Sequence, residues 1–274
     1  MKNRKMLLKP SLRIYVLLLV AAIGAMIALY RCSHGKGGML PIAQGENDTI
    51  DIALEYSPFS LYMYGDTLGG FNYELLKLIG QYKGLKMEMH PMVNLGESLS
   101  LLDEGVYDIV AAQVPATVDF KRRYLFTDSI YLDRQVLVQL KDSLGKKSVE
   151  SQLDIAGKTV YVVDGSPAIS RIENLSRELG DTIGVARESR YGQEQLFLMV
   201  ASGEIKFAVI SYKVASSMSA GYPDVDISTD VSFNQLQSWV LRKHSTALRD
   251  SLDVWLKELR QTPAYKEIYN RYFE

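Results

Sequence analysis

Apolar residues recur along the chain with two spacings, and these spacings predict alternating strands and helices from residue 49 onward. Residues 49–56 alternate apolar and polar side chains, which is typical of a half-buried strand, and residues 71–84 carry an apolar stripe at helical spacing. The same two patterns return over 85–93 and 95–102. Strand, helix, strand, helix and a further strand in this order predict a parallel sheet with right-handed crossovers.

The stretch 105–140 is the centre of the predicted fold. It begins as an apolar strand over 107–112, breaks at Pro115, restarts as a short helix at Thr117 and ends in a second apolar strand over 134–140. A capped helix that follows a strand offers unpaired backbone N–H groups to a ligand. In an open α/β sheet such a site lies at the carboxyl ends of the strands.

A second α/β unit follows the first, and two strands are predicted to connect the units. The chain crosses between them at strands 135–140 and 236–241. These crossings assign residues 49–137 and 235–274 to a first lobe and residues 138–234 to a second lobe. Two lobes joined in this way describe a hinge protein, in which a ligand binds in the cleft and the lobes rotate about the crossings.

Composition excludes several classes of function. The 274 residues carry a net charge of -1, which excludes a polybasic nucleic-acid-binding protein, and the single cysteine excludes an internal disulfide. His34, His90 and His244 lack the spacing of metal ligands, and no nucleophile stands beside a base in a known pattern. We therefore predict no catalytic residue, no metal, no cofactor and no enzyme activity.

Residues 1–31 have the pattern of an export segment. Basic residues precede an uncharged apolar run over 14–30, which is slightly shorter than the roughly 20 residues that span a bilayer. This pattern predicts either a signal anchor or a lipoprotein signal with lipidation at Cys32, and in both cases the body is exported to the periplasmic face of the membrane. Arg31 fits the lipoprotein alternative poorly, because a small residue normally precedes the lipidated cysteine. The glycine-rich segment 32–48 is predicted to be a flexible tether.

Short motifs in a fixed order carry a family resemblance over 49–274. They are "SPF", "GGFNYELLK", "LDEGVYDIVAA", the threonine at 117, "FTDSIY", "AGKTVYVVDGS", "ASGEIKFAVIS" and "YKEIYNRYF". Together they resemble the extracytoplasmic solute-binding proteins of family 3, the polar amino-acid type, and are similar to the N-terminal module of membrane-bound lytic transglycosylase F. The resemblance implies an α/β fold of the periplasmic-binding-protein-like type II, with two lobes joined by two hinge strands.

Two charged positions of the family pattern are absent from this sequence. In the family, an arginine three residues after a threonine usually binds the ligand's α-carboxylate, but Phe120 stands in that position after Thr117. An acidic residue usually ends a strand of the second lobe and binds the α-ammonium, but "FAVIS" ends at Ser211. Each lost charge-assisted contact is worth roughly 1.5–3 kcal/mol, so the resemblance implies a ligand other than a standard free amino acid.

Candidate ligand-binding residues come from both predicted lobes. They are Phe59, Phe71, Gln113, Pro115, Thr117, Phe120, Gly165, Ser166 and Ser211. A core position explains Phe59 equally well, and packing beneath the hinge is the alternative for Phe120. Capping alone explains Thr117, and Gly165 with Ser166 also fits a plain turn before a helix.

The leading hypothesis is an exported, membrane-tethered protein that binds a small molecule, peptide or muropeptide in the interlobe cleft. Its partner would be an inner-membrane permease for transport, or a cell-wall enzyme for sensing. One alternative is a lytic transglycosylase F-like protein of peptidoglycan turnover without the catalytic domain, because the sequence stops where the binding module ends. The other alternative is a scaffold whose cleft binds no small molecule.

Overall fold

Strands and helices alternate through the first part of the folded body. The computed structural model describes residues 49–166 and 168–273, with the backbone alone for Pro115, and the predicted export segment 1–31 and tether 32–48 lie outside these residues. The strands are β1 (Thr49–Glu55), β2 (Tyr62–Tyr64), β3 (Thr67–Gly69), β4 (Lys86–Met92), β5 (Ile109–Pro115), β6 (Tyr124–Phe126) and β7 (Tyr131–Asp133). The helices are α1 (Phe71–Lys83), α2 (Leu95–Glu104) and α3 (Val118–Arg123).

The second part of the body repeats the alternation and then returns to the first. Its strands are β8 (Gln135–Leu140), β9 (Thr159–Val163), β10 (Gly184–Glu188), β11 (Phe207–Ser211) and β12 (Val225–Asp230). Its helices are a short 3-10 helix (Gln152–Ile155), α4 (Ala168–Leu179), α5 (Gln193–Ala201) and α6 (Tyr212–Ser219). The returning elements are β13 (Gln235–Arg242), α7 (Thr246–Leu259) and α8 (Pro263–Phe273).

Two sheets with the same central order form the two lobes. The first has the order β4-β1-β5-β13-β6, with β7 also paired to β13, and the second has the order β10-β9-β11-β8-β12. In each sheet three strands are parallel and the next strand is antiparallel to them. Each sheet places its first parallel strand between the second and the third, which agrees with the predicted α/β crossovers.

The chain crosses between the sheets at two short segments. β7 belongs to the first sheet, and β8 pairs with the second sheet from Gln135 onward, so the first crossing is at Arg134. The second crossing lies between β12 and β13. The predicted crossing strands 135–140 and 236–241 therefore each lie within one sheet, and the predicted lobe boundary at 137 lies inside β8.

The core of the first lobe includes polar side chains that are hydrogen-bonded. The Trp239 ring on β13 is 1% exposed, and its Nε1 donates to Asn72 Oδ1 at 3.0 Å. Asn72 Nδ2 in turn donates to Ser60 Oγ at 2.8 Å. Because a buried polar group without a partner costs about 1–3 kcal/mol, this chain of hydrogen bonds allows amide and hydroxyl groups to remain beneath the sheet.

None of the helices between residues 49 and 273 is long and apolar enough to cross a membrane.

Candidate functional site

Polar side chains of both lobes meet at the carboxyl ends of the central strands. Glu55 ends β1, and Ser211 ends β11 in the other lobe. Glu55 Oε1 accepts a hydrogen bond from Gln193 Nε2 at 2.8 Å, and Gln193 Oε1 accepts one from the Ser211 backbone N–H at 2.7 Å. One glutamine at the start of α5 therefore links the first strand of one lobe to the last parallel strand of the other.

The Asp133 carboxyl group lies at the first crossing and is enclosed by donors. Ser211 Oγ donates to Asp133 Oδ2 at 2.5 Å. The backbone N–H groups of Arg134 and Lys213 donate to Oδ1 at 2.8 and 3.3 Å. Asp133 is 3% exposed, and these contacts across the crossing allow a carboxyl group to remain in the interior.

A small cavity lies between the lobes beside Glu55. Its volume is about 20 Å³, which is room for about one water molecule. The lining residues are Glu55, Met92, Val93, Leu95, Ala112, Gln113, Val163, Ser166 and Gln193. Gln113 is 5% exposed, and neither Nε2 nor Oε1 of its amide has a hydrogen-bond partner among the described residues. We call this space the interlobe cavity. The Gln113 amide can donate hydrogen bonds to a ligand through Nε2 and accept them through Oε1.

Both carboxyl groups near the interlobe cavity have raised pKa values. Burial raises the pKa of Glu55 to about 7, against hydrogen bonds from Gln193 and from the Gln113 backbone that lower it. Burial raises the pKa of Asp133 to about 6, and the hydrogen bond from Ser211 opposes this rise. None of the residues described in the cavity lining is a lysine or arginine. The electrostatics of the site therefore favour a ligand that donates hydrogen bonds or carries positive charge.

The two lobes are closed against each other in this structure. Gly165, in the turn after β9, has φ 73°, and a Cβ atom at this position would lie 2.8 Å from the Cα of Gly96 in α2. The Asn94 side chain, which caps α2, also donates to the backbone carbonyl of Ser189 in the second lobe. Gly165 is therefore needed for two reasons, its left-handed backbone and the close approach of the opposite lobe.

Phe59 and Phe71 lie in the core rather than at the cavity. They are 2% and 0% exposed, and their ring centroids are 5.6 Å apart. The rings of Tyr131 and Phe273 lie 5.1 and 5.7 Å from the Phe59 ring. Neighbouring rings thus surround both phenylalanines, and the structure favours the core role over the predicted contact with a ligand.

The predicted helix of the central stretch forms, but it does not line the interlobe cavity. Pro115 is the last residue of β5, and Thr117 Oγ1 accepts from the Phe120 backbone N–H at 3.5 Å as a helix cap. Phe120 is partly buried against the apolar cluster of the first lobe, with its ring centroid 6.3 Å from that of Tyr124. These contacts favour the packing role of Phe120 and the capping role of Thr117.

The other predicted residues do lie at the junction of the lobes. Gln113 and Ser166 line the interlobe cavity, and Gly165 contacts the opposite lobe. Ser166 Oγ also accepts from the Ala168 backbone N–H at 3.2 Å, which supports its alternative role as a turn residue before α4. Ser211 lies one hydrogen bond from the cavity, through Gln193.

The structure places a carboxyl group beside Ser211, where the sequence predicts that the acidic anchor is missing, but this carboxyl group already accepts hydrogen bonds from three donors. Asp133 reaches Ser211 from the crossing segment, which is distant in sequence, and Glu55 lies on the other side of Gln193. Ser211 was predicted from the sequence, but Asp133, Glu55 and Gln193 were not. A signal was present for Glu55, because a carboxylate that directly follows the buried run Ile52–Leu54 stands at the carboxyl end of a strand.

Comparison with known proteins shows the family and the fold of this chain. Residues 49–274 match the model of the bacterial extracellular solute-binding proteins, family 3. The chain belongs to this family. Family 3 proteins are binding proteins that act outside the cytoplasm, which agrees with the predicted resemblance and with the hydrogen-bonding groups between the lobes.

Curated relatives fall into two groups. The membrane-bound lytic murein transglycosylase F of Desulfosudis oleivorans is 25% identical over 266 residues, which are 97% of this chain and 57% of that protein. The chain thus spans little more than half the length of this relative, and 38% of the corresponding protein of Aeromonas salmonicida. The arginine-binding extracellular protein ArtP of Bacillus subtilis is 26% identical, over 94% of this chain and 97% of that protein.

Solved structures confirm the predicted type II fold. An ancestral arginine-binding protein bound to arginine has a TM-score of 0.72 and 24% identity, and the match covers 82% of this chain and 98% of that one. An L-cystine ABC transporter protein of Listeria monocytogenes also has a TM-score of 0.72, with 22% identity, over 82% and 96% of the two chains. At these identities the likeness establishes the fold alone.

Proposed function

We propose that this family 3 protein binds a small ligand in the interlobe cleft and that the ligand is not a standard free amino acid. The observation that carries the proposal is the polarity of the interlobe cavity. Glu55 brings a carboxyl group to the cavity, and Gln113 brings an amide that has no hydrogen-bond partner among the described residues. No cation lines the described cavity to bind the α-carboxylate of an amino acid. A ligand that has amine or amide donors and no free α-carboxylate, such as an amidated or substituted peptide, fits these groups.

Binding of such a ligand requires the lobes to separate. The closed interlobe cavity of about 20 Å³ is far smaller than the roughly 300–1,000 Å³ of a typical ligand pocket. The crossings at Arg134 and between β12 and β13 are the segments about which the lobes would rotate. The Gln193–Glu55 hydrogen bond would then break, and both side chains would become available to the ligand.

A thermal-shift screen tests this proposal. The screen compares free amino acids, amidated dipeptides, polyamines and muropeptides, because a ligand that binds only the folded protein raises its melting temperature. We expect stabilisation by a donor-rich compound without a free α-carboxylate. Gln113→Leu should weaken the response by about tenfold in apparent Kd, since it removes the free amide without creating a cavity. Gln81→Leu, on the exposed face of α1, is the matched control and should leave the response unchanged.

Two results would overturn the proposal. If arginine or another free amino acid stabilises the protein and the amidated analogue does not, the ligand class is wrong. If no compound in the screen shifts the melting temperature, the small interlobe cavity instead supports the scaffold alternative, in which the cleft binds no small molecule.

We also propose that the protein is exported and tethered to the membrane by residues 14–30 or by lipidation at Cys32. An inner-membrane permease is the proposed partner for transport, and a cell-wall enzyme is the proposed partner for sensing. The family description and the basic and apolar segments at the N-terminus support export. Metabolic labelling with a fatty acid tests the tether: a lipidated protein incorporates the label and loses it in Cys32→Ser, whereas a protein anchored by residues 14–30 incorporates none.

A second candidate function is a role in peptidoglycan turnover without catalysis. The supporting observation is the match over 97% of this chain to a transglycosylase F whose remaining length lies outside the match. In that case the protein should bind purified peptidoglycan fragments without cleaving them. Cleavage by the purified protein would contradict both this candidate and the binding-protein proposal.

A further inference from the structure

A second cavity lies at the junction of the lobes and is much larger than the first. It has a volume of about 580 Å³ and shares no lining residue with the interlobe cavity. Its walls are the crossing segment 129–134, the start of α6 at Tyr212 and Lys213, Leu236 on β13, and residues of α8 such as Phe273. We call it the hinge pocket, because both lobes and the first crossing contribute to it.

Cations line the hinge pocket, and two of them have no acidic partner in the part of the chain that the structure describes. Among the described residues, no carboxylate lies within 4 Å of the side-chain nitrogens of Lys213 or Arg260. Lys213 Nζ lies 4.2 Å from the centroid of the Phe273 ring, and Arg260 donates to the backbone carbonyl of Ser129. Desolvation by burial lowers the pKa of Lys213, although the charge of Asp133 opposes this shift. An anion would supply the charge that neighbouring side chains do not.

The single carboxyl group in the described lining is already occupied. Asp133 accepts hydrogen bonds from Ser211 and from two backbone N–H groups, so little of it remains for the two cations. Arg134 is different, because its guanidinium pairs with Asp230 at 2.6 Å and stacks 3.8 Å from the centroid of the Tyr212 ring. Lys213 and Arg260 are therefore the groups in the hinge pocket that are free to bind an anion.

Apolar side chains complete the pocket wall. Leu132 and Leu236 both line it, and they are 54% and 56% exposed. A ligand that covers these leucines gains binding free energy, at about 25 cal/mol per Å² of apolar area removed from water. They lie on neighbouring paired strands, β7 and β13, where Leu132 is directly opposite Leu236 in the ladder. The pocket thus combines a charged part with an adjacent apolar surface.

We propose that the hinge pocket binds a small organic carboxylate that has an apolar ring. Lys213 and Arg260 bind its carboxylate, and Leu132 and Leu236 contact its ring. Because Lys213 belongs to the second lobe and Leu236 to the first, a bound carboxylate contacts both lobes at the hinge. The hinge pocket shares no lining residue with the interlobe cavity, although Asp133 in its lining also accepts a hydrogen bond from Ser211 beside Gln193.

Calorimetric titration with phenylacetate tests the proposal, with phenylacetamide as the neutral compound of the same shape. We expect saturable binding of phenylacetate with a Kd in the millimolar range or below, and binding of phenylacetamide weaker by about tenfold or more. Lys213→Met removes the charge and keeps most of the aliphatic stem, and it should weaken phenylacetate binding by about tenfold or more. Lys146→Met, at an exposed lysine of the same lobe, is the matched control and should leave the Kd unchanged.

Further variants separate the hinge pocket from other sites. Leu236→Ser, at an exposed position, should weaken phenylacetate binding several-fold, and Glu55→Gln in the interlobe cavity should not change it. Binding that is lost in Glu55→Gln but kept in Lys213→Met would place the compound between the lobes and overturn the proposal. The proposal is also overturned if phenylacetate shows no saturable binding at concentrations on the order of 10 mM.

Discussion

The interlobe cavity and the hinge pocket lie at the same junction of the two lobes, yet they differ in size and in charge. The cavity measures about 20 Å³ and has the Glu55 carboxyl group in its lining, whereas the pocket measures about 580 Å³ and has Lys213 and Arg260 in its lining. Asp133 belongs to both regions, because it lines the pocket and its carboxyl group holds Ser211 beside Gln193. Closure of the lobes makes the interlobe cavity small, whereas the residue types in the two linings give the two regions their different charge.

This difference has a physical consequence for each site. Around Glu55 the closed lobes remove water, and the loss of hydration raises the pKa of the carboxyl group. The hinge pocket stays open to solvent, so its cations remain available to a ligand without movement of the lobes. A ligand of the interlobe cavity therefore requires rotation about the hinge, whereas a ligand of the hinge pocket does not.

The largest effect is expected in the aromatic core, which adjoins the hinge pocket through Tyr131 and Phe273. Phe59→Ala should lower the free energy of unfolding by about 3–5 kcal/mol, because it removes a buried ring that packs against Phe71 and Tyr131. Urea denaturation measures this change. Phe233→Ala, at a ring that is 85% exposed, is the control and should cost well under 1 kcal/mol. A small effect at Phe59, combined with altered ligand binding, would contradict the core role.

The residue shared by the two regions should give the next largest effect. Asp133→Ala should lower the free energy of unfolding by about 1–3 kcal/mol, because it leaves the Ser211 hydroxyl and two backbone N–H groups without their acceptor. A double-mutant cycle with Ser211→Ala isolates the contact between the two side chains. If the losses in the free energy of unfolding of the two single variants add up to that of the double variant, the Asp133–Ser211 hydrogen bond contributes nothing. Asp66→Ala, in the exposed β2–β3 turn, is the control for loss of an acidic residue.

The stability of the protein should depend on pH through the Glu55 carboxyl group of the interlobe cavity. The pKa of Glu55 is about 7 in the folded protein against an ordinary 4.5, so between these pH values the folded state holds a proton that the unfolded chain has released. Stability is therefore greatest below pH 4.5 for this group and falls as pH rises to 7, by on the order of 2 kcal/mol. Asp133 acts in the same direction between pH 3.8 and 6.

Urea denaturation across this pH range compares the wild-type protein with Glu55→Gln. The variant should lose the part of the decline that lies between pH 4.5 and 7, since it has no proton to release. Glu104→Gln, at an exposed position near the end of α2, should retain the decline. Identical pH profiles for wild type and Glu55→Gln would show that the Glu55 carboxyl group is not buried in solution.

The smallest effect is expected for Gly165→Ala, which should open the interlobe cavity and leave the hinge pocket intact. Gly165→Ala should destabilise the closed lobes by about 1 kcal/mol or more, because its Cβ meets the Gly96 backbone and its φ of 73° is left-handed. Gly180→Ala has φ 67° and no neighbour within 4 Å, so it carries the same backbone cost without the contact. Small-angle scattering should show a larger radius of gyration for Gly165→Ala alone. Equal profiles for the two variants would contradict closure at this glycine.

Periodicity was sufficient for most of the elements but not for those with weak patterns. The apolar runs of β1, β4 and β5 and the helical stripes of α1 and α2 appear near the predicted places, because burial of one or both faces requires these patterns. The strand β12 and the β2–β3 hairpin were missed. β12 pairs only with β8 at the sheet edge, and polar residues at an edge strand obscure the alternation.

The sequence predicted where the candidate site lies in the fold, but it did not predict all the residues that form it. Gln113, Gly165 and Ser166 were expected at the carboxyl ends of strands and lie at the junction of the lobes. Phe59 was expected there on the family pattern, and the structure places it among other rings. Whether an aromatic ring faces a cleft or a core depends on what packs against it, and Phe273 comes from the opposite end of the chain.

The amino-acid sequence by itself determined the order of most strands and helices, the two-unit α/β organisation and the uncharged side chains at Phe120 and Ser211. These properties depend on local spacing and on residue identity. Only the tertiary structure decided that Asp133 reaches Ser211 and that Gln193 links Glu55 to the second lobe. These contacts join residues between 78 and 138 positions apart, and no local pattern specifies such a distance, because it arises when the hinge brings two separately folded sheets together.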